Sequence, residues 1–218
     1  MFKKIFKFLK DLLLPIECLG CHKENFWLCR TCLNSLKIYR QILPFTEPVK
    51  YLNGVISACS YDQPLLKNLI HAFKFNYLEE LSNPLAFILF RFWLRNGLSH
   101  KFSDFIIIPV PLAKKRQLER GFNQADLIAK KLSAYLDLPY SQCLIRFKNT
   151  PHQVGLNKSQ RQNNIKNCFR IIKPETIRGQ KIILIDDVVT TGSTLDEAAK
   201  TLKQAGAVEV WGLSMAKD

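Results

Sequence analysis

The stretch that most constrains this 218-residue chain is Lys181-Ile182-Ile183-Leu184-Ile185-Asp186-Asp187-Val188-Val189-Thr190-Thr191-Gly192-Ser193-Thr194-Leu195. Its short apolar, β-branched run predicts a buried parallel strand over residues 181–185 that stops at two adjacent carboxylates. A small-residue turn follows. Ser193 with Asp196, and Thr194 with Glu197, match the capping-box spacing that opens a helix. Leu195, Ala198, Ala199, Leu202 and Ala205 then recur at helical spacing, and Gly206 suits the stop. A strand–turn–helix of this kind points unpaired backbone N–H groups out of the helix start, which makes an anion site aided by the helix dipole. Gly192 lets the backbone approach an anion closely, and Thr190, Thr191, Ser193 and Thr194 add hydroxyl donors. Paired carboxylates suit sugar hydroxyls, so the pattern implies a pocket for a phosphorylated sugar. The plainer alternatives are a Walker-B-like strand end or a capped helix with acidic flanks. No G-x-x-x-x-G-K-[ST] loop occurs in the chain, which argues against a nucleotide hydrolase.

Residues 183–195 resemble the PRPP-binding signature of type I phosphoribosyltransferases (PRPP is 5-phosphoribosyl 1-pyrophosphate). The resemblance implies that Asp186 and Asp187 hold the ribose hydroxyls and are the candidate catalytic carboxylates. It implies that Thr190, Thr191, Gly192, Ser193 and Thr194 wrap the 5′-phosphate. Ile108-Pro109-Val110-Pro111-Leu112 stands where such proteins place a pyrophosphate loop, so Val110, Pro111 and Leu112 join the PRPP-binding set. The basic turn that follows, with Lys114, Arg116 and Arg120 before a helix start, suits a diphosphate. An exposed basic turn linking strand to helix is the simpler reading.

Cys18-Leu19-Gly20-Cys21 and Cys29-Arg30-Thr31-Cys32 form two C-x-x-C pairs separated by a short loop. Cys18, Cys21, Cys29 and Cys32 can surround one tetrahedral Zn²⁺ in a closed, structural site. A redox pair or disulfides are the alternatives. His22 is a conceivable substitute ligand or a solvent-facing loop residue. Cys59, Cys143 and Cys168 are scattered and read as small buried hydrophobes in a reducing compartment.

A formal net charge of +14 implies a polyanionic partner: nucleic acid, an acidic membrane surface or phosphorylated small molecules. A generally solvated basic surface would give the same number. Between Asp137 and Glu175 there is no carboxylate, and Arg146, Lys148, Lys158, Arg161 and Lys166 lie among amides. That surface suits DNA phosphates, or equally a lid over a pyrophosphate. Aromatics are few there, Phe147 and Phe169 among them, so base stacking has little platform. At the N-terminus, Phe2, Ile5, Phe6, Leu9, Leu12 and Leu13 oppose Lys3, Lys4, Lys7 and Lys10, and Pro15 ends the helix. Residues 1–14 fit either an interfacial membrane helix or one docked on its own domain. Docking is favoured because the helix runs straight into the cysteine module. The lysines interrupt any signal-peptide core, so a cytoplasmic protein is expected, with peripheral contact to the inner membrane face an option.

An apolar content of 47% supports a real core. The expected organisation is an amphipathic helix at 1–15, a zinc-binding module at 16–42, a linker at 43–48 and a main domain at 49–218. Strands are predicted at 54–61, 105–110, 144–147, 181–185 and 208–213, and helices at 63–75, 85–95 and from 122 onwards. Alternating strands and helices imply an α/β fold with a mainly parallel sheet covered on both faces and ligands at the strand carboxyl ends.

Taken together, these motifs closely resemble the ComF family of competence-associated, phosphoribosyltransferase-like proteins. The shared features include Cys18 to Cys32, Ile70-His71-Ala72-Phe73-Lys74, residues 109–112, Arg116 with Arg120-Gly121-Phe122-Asn123-Gln124, Gln153 to Asn164, and residues 186–194. The resemblance implies a type I phosphoribosyltransferase-like fold with a small N-terminal zinc module built on four cysteines. It also implies a role in natural transformation, handling single-stranded DNA beside the competence DNA-translocation proteins. The expected ligands are PRPP or another sugar phosphate, with Mg²⁺ accompanying PRPP. The alternative is an active phosphoribosyltransferase, of unknown acceptor, in nucleotide or related metabolism; the residues leave catalysis open.

Overall fold

A computed structural model describes residues 16–148 and 165–218. Four parallel strands form the central sheet: β1 (Gly54–Ser60), β2 (Phe105–Pro109), β5 (Lys181–Val189) and β6 (Glu209–Lys217), in the order β1-β6-β5-β2. Two short strands, β3 (Leu144–Arg146) and β4 (Phe169–Ile171), pair antiparallel beside it. The helices are α1 (Arg30–Ser35), α2 (Pro64–Phe75), α3 (Ser82–Arg95), α4 (Leu98–Lys101), α5 (Lys114–Arg120), α6 (Gln124–Leu136) and α7 (Ser193–Gln204).

Strand β5 shows why the sheet is buried on both faces. Its side chains alternate, so Ile183 and Ile185 enter one core with Phe73 of α2, Leu89 of α3 and Ile128 of α6. Ile182 and Leu184 enter the other, with Leu195, Ala199 and Leu202 of α7 and Leu144 and Phe169 of the small ribbon. Two covered faces demand a continuous apolar run, and residues 182–185 supply it.

Three expectations are corrected. Strand β5 does not stop at Ile185: β2 ends its pairing at Pro109 opposite Ile185, but β6 pairs on to Val189 opposite Lys217. Asp186 and Asp187 therefore stand where one neighbouring strand has ended and the other continues, at the lip of the sheet. The basic turn after Pro111 is helix α5, because Lys-Lys-Arg-Gln-Leu-Glu-Arg are strong helix formers and Gly121, at φ 74°, ends it in the left-handed region. The capping boxes do not form. Gly192, at φ 72°, stands at the N-cap of α7 without a side-chain cap. Asp196 and Glu197 instead reach across the fold: Asp196 Oδ1 accepts the backbone N–H groups of Lys50 (3.0 Å), Tyr51 (2.7 Å) and Leu52 (3.2 Å), and Glu197 Oε1 accepts that of Asn167 (2.8 Å).

The cysteine segment is tied to the sheet. The backbone N–H of Tyr39 donates to Ala58 O (2.9 Å), and Leu36 and Ile38 enter the larger core. Among the described residues no helix is long and apolar enough to cross a membrane. The expected helix at 1–15 lies outside the described residues.

Candidate functional site

A cleft of about 450 Å³ opens at the carboxyl ends of β2 and β5. Its floor is the paired acid. Asp187 N–H donates to Asp186 Oδ1 (2.8 Å) and Val188 N–H to Asp187 Oδ1 (2.6 Å), which fixes both side chains at the strand lip. Lys74, at the end of α2, places Nζ 2.9 Å from Asp187 Oδ1. Burial, reinforced by the neighbouring charge of Asp187, pushes the Asp186 carboxyl up to about 7; its hydrogen bond from Asp187 N–H and the cations Lys74 and Arg146 work against that rise.

One wall is cationic. Arg116 and Arg120 come from α5, and Arg146 from β3. Ala113 and Arg146 form a parallel bridge, so the loop after β2 carries Arg146 to the cleft. Burial, with Arg146 and Arg120 close by, lowers the pKa of Arg116. Burial also lowers that of Arg146, against the pull of Cys168 and Asp186. Like charges held this close favour an anion between them. The loop itself is pinned by Asn123, whose Nδ2 donates to Val110 O (3.1 Å) while its Oδ1 caps α6 through Ala125 N–H (3.2 Å). Gln124 is buried; its Oε1 accepts from Arg120 Nη1 (3.1 Å), and its Nε2 has no hydrogen-bond partner among the described residues.

The opposite wall is the turn at 190–194. Thr191 Oγ1 and Ser193 Oγ lie 2.7 Å apart, and Asp196 N–H donates to Gly192 O (2.8 Å). A Cβ on Gly192 would meet the Phe45 ring at 3.0 Å and Val49 Cγ1 at 3.2 Å. Only glycine fits that left-handed position against the segment which Asp196 holds in place.

The fold thus brings Val110, Pro111, Leu112, Arg116, Arg120, Asp186, Asp187, Thr190, Thr191, Gly192, Ser193 and Thr194 around one cleft. Lys114 is exposed and is not among the lining residues. Chemically, the cleft offers an anion-binding turn, a carboxylate floor for hydroxyls or a cation, and a guanidinium wall for further anionic groups. The residues named as a DNA surface separate. Arg146 is only 7% exposed and faces the cleft, because β3 pairs with β4 and turns its side chain inward. Lys148 is exposed with its ammonium 5.8 Å from the Phe147 ring centroid, and Lys166 is exposed. Lys158 and Arg161 lie outside the described residues, as do Gln153, Leu156 and Asn164.

Sequence reasoning missed Lys74 as a site residue. The signal was its place in Ile70-His71-Ala72-Phe73-Lys74, just past the apolar face that Leu66, Leu69, Ile70 and Phe73 turn to the core. It also missed Asn123 and Gln124, which the Arg120-to-Gln124 motif contained.

A second constellation lies at the N-terminal side. The sulfurs of Cys18, Cys21, Cys29 and Cys32 all lie within 4.8 Å of one another, a tetrathiol cluster able to hold one metal ion. Cys29 N–H donates to Cys18 Sγ (3.3 Å), and Cys32 N–H donates to Cys29 Sγ (3.4 Å) at the start of α1. Burial pushes the Cys18 thiol up, but backbone N–H donors outweigh it and bring it to about 6, whereas burial and the neighbouring sulfurs push the Cys32 thiol up, so the four thiols of the cluster do not ionise alike.

Residues 118–211 match the family described as the phosphoribosyl transferase domain. Over 207 residues the chain is 35% identical to competence protein F of Haemophilus influenzae, a match covering 91% of this chain and 90% of that protein. It is 37% identical over 164 residues to the DNA utilization protein YhgH of Salmonella typhimurium, covering 73% and 70% respectively. It is 35% identical over 144 residues to competence protein ComFC of Bacillus subtilis, covering 65% and 55%.

Proposed function

The chain belongs to the competence protein F family, with a phosphoribosyl transferase domain, and from that premise we propose that it handles incoming single-stranded DNA in natural transformation while its cleft binds PRPP or a related sugar phosphate. The observation that carries the ligand assignment is the convergence of Asp186 and Asp187, the three guanidiniums and the Gly192 turn on one cleft. A ribose 5-phosphate unit has hydroxyls for the carboxylates and a phosphate for the turn, and the diphosphate of PRPP suits Arg116, Arg120 and Arg146. Mg²⁺ is the proposed companion of that diphosphate, with Asp186 and Asp187 as the neighbouring carboxylates; it would neutralise charge on the diphosphate oxygens.

The tetrathiol cluster is proposed to hold one structural Zn²⁺. A zinc–sulfur distance of about 2.3 Å sets tetrahedral sulfurs about 3.8 Å apart, within the span that the four thiols occupy. Four protein ligands close the site to substrate. The proposed organisation is a segment at 1–15, a zinc module at 16–42 and a phosphoribosyltransferase-like domain at 49–218. A cytoplasmic location, contact with DNA-translocation proteins and peripheral membrane contact through residues 1–14 complete the reading. The net charge of +14 supports a DNA partner.

Calorimetry with PRPP and Mg²⁺ tests the cleft. Wild type should bind, and the double variant Asp186→Asn with Asp187→Asn should lose binding. No heat from the wild type retires the assignment. DNA handling is tested by an affinity that falls steeply between low and moderate salt; a flat titration retires it. Pyrophosphate release with some acceptor would favour the active phosphoribosyltransferase reading.

A further inference from the structure

Helix α2 links the two constellations, and its outer face is unusual. His71 and Phe75 lie ring to ring, with centroids 4.8 Å apart, and both are exposed. Arg120, a cleft residue, sets its guanidinium carbon 5.2 Å from the Phe75 ring centroid. Next to it Tyr77 is 64% exposed, held by its hydroxyl donating to Glu119 O (2.9 Å). Alongside this face, a groove of about 550 Å³ runs between α2 and the cysteine segment, whose buried thiols Leu65 of α2 packs against. Asn68, His71 and Asn76 line it from the α2 side, and Trp27 from the cysteine side. Trp27 Nε1–H is buried there with no hydrogen-bond partner among the described residues. Glu17 also lines the groove and lies 3.3 Å from His22, so the groove is not a cationic trough. Side-chain amides suit base edges, whereas the guanidiniums at the cleft end suit phosphates.

We propose that single-stranded DNA runs along this face. The strand enters at the Arg120 rim, stacks bases on Phe75, His71 and Tyr77, and passes base edges into the groove beside Trp27. Exposed rings beside a cation stabilise nothing in the core, but they form the stacking platform that strand binding needs. In the carboxylate-free stretch Phe147 offers one exposed ring beside Lys148 and Arg170, whereas Phe75, His71 and Tyr77 gather three exposed rings on and just beyond α2, so the contact surface is placed there. This rests on the DNA-handling reading above, and adds where the strand lies.

The test uses a fluorescent oligothymidylate, the full chain with its metal, and the variant Phe75→Ala with His71→Ala. Both side chains are exposed, so the variant should keep its melting temperature. Its affinity should fall roughly tenfold or more at fixed salt, because each lost stacking contact is worth about 1–3 kcal/mol. The salt slope should not change, since no phosphate contact is removed. Wild-type binding with an equally tight variant overturns the track and leaves DNA handling standing. No wild-type binding overturns both. In the unmutated protein, an iodouracil-bearing oligonucleotide irradiated in the complex should form adducts at Phe75, Tyr77 or His71. Adducts confined to other peptides, or a face protected only by a protein partner, would equally overturn the track.

Discussion

Lys74 Nζ sits 2.9 Å from Asp187 Oδ1, which joins the end of α2 to the acid pair on β5. The contact means that a ligand hydroxyl or cation reaching Asp187 must share it with, or displace, a lysine. It also links the cleft to the helix whose outer face carries Phe75 and His71.

Removing that lysine should cost stability. Both partners are largely buried, so Lys74→Met leaves a carboxylate without its cation, at a loss of about 1–3 kcal/mol, between the values for exposed and fully buried pairs. Adding Asp187→Asn should recover part of it. Urea denaturation of the four proteins of the double-mutant cycle reads the coupling, and a coupling near zero would show the pair to be incidental.

The raised Asp186 carboxyl predicts a pH dependence of defined sign. Its folded-state value of about 7 exceeds its ordinary 3.8, so between those two pH values the folded chain holds a proton that the unfolded chain has lost. Stability therefore falls as pH rises through this window, with a slope of up to about 1.4 kcal/mol per unit, and levels off above it. Asp186→Asn should remove that component. The proposed binding of PRPP with Mg²⁺ would want the ionised acid, so wild-type affinity should climb from about pH 6 to about pH 8, across the folded-state value. A climb of the same size in Asp186→Asn would assign it to another group.

Asp196 should matter more than an exposed-turn acid ordinarily does. Its one oxygen gathers three backbone N–H groups from the segment whose Phe45 lies against Gly192. Asp196→Ala should cost about 2–4 kcal/mol, since it orphans several donors of charge-assisted bonds. It should also weaken phosphate binding at the turn. Paired denaturation and calorimetry check this, and a variant as stable as wild type would mean that the segment holds itself.

Arg146 and Lys148 are two residues apart and should behave differently. Arg146→Gln should weaken PRPP binding roughly tenfold or more, as expected for a lost charged hydrogen bond. Lys148→Gln should leave PRPP binding near wild type and, if it touches DNA, lower the salt slope by about one. The reverse pattern would place the anion outside the cleft.

Metal removal should be felt beyond the cysteine module, because Leu36 and Ile38 continue from it into the main core. Cys18→Ser with Cys21→Ser should abolish about one equivalent of zinc by elemental analysis and lower the melting temperature by several degrees. Full metal content in that variant would move the site elsewhere.

Much of this molecule is written locally. The alternation of residues 182–185, the helical repeat from Leu195 to Leu202 and the Cys18–Cys32 spacing each depend on neighbours a few residues away, which is why strand, helix and thiol cluster were legible. Boundaries were less so. Strand β5 passes through Asp186 to Val189 because β6 pairs that far, and α5 replaced a basic turn because helix propensity outweighed the look of a charged loop.

Local pattern suffices for the α/β alternation, the paired-acid strand with its glycine turn, and the four-thiol spacing, since backbone periodicity and short-range sterics set these. Packing across the whole fold was needed to show that Lys74 meets Asp187, that Arg146 turns from the expected DNA surface into the cleft, and that Asp196 clasps residues 50–52 instead of capping its own helix. Those pairings join segments far apart in the chain. A side chain's partner at that range is chosen by how packed helices and strands place it in space, and no local pattern encodes that choice.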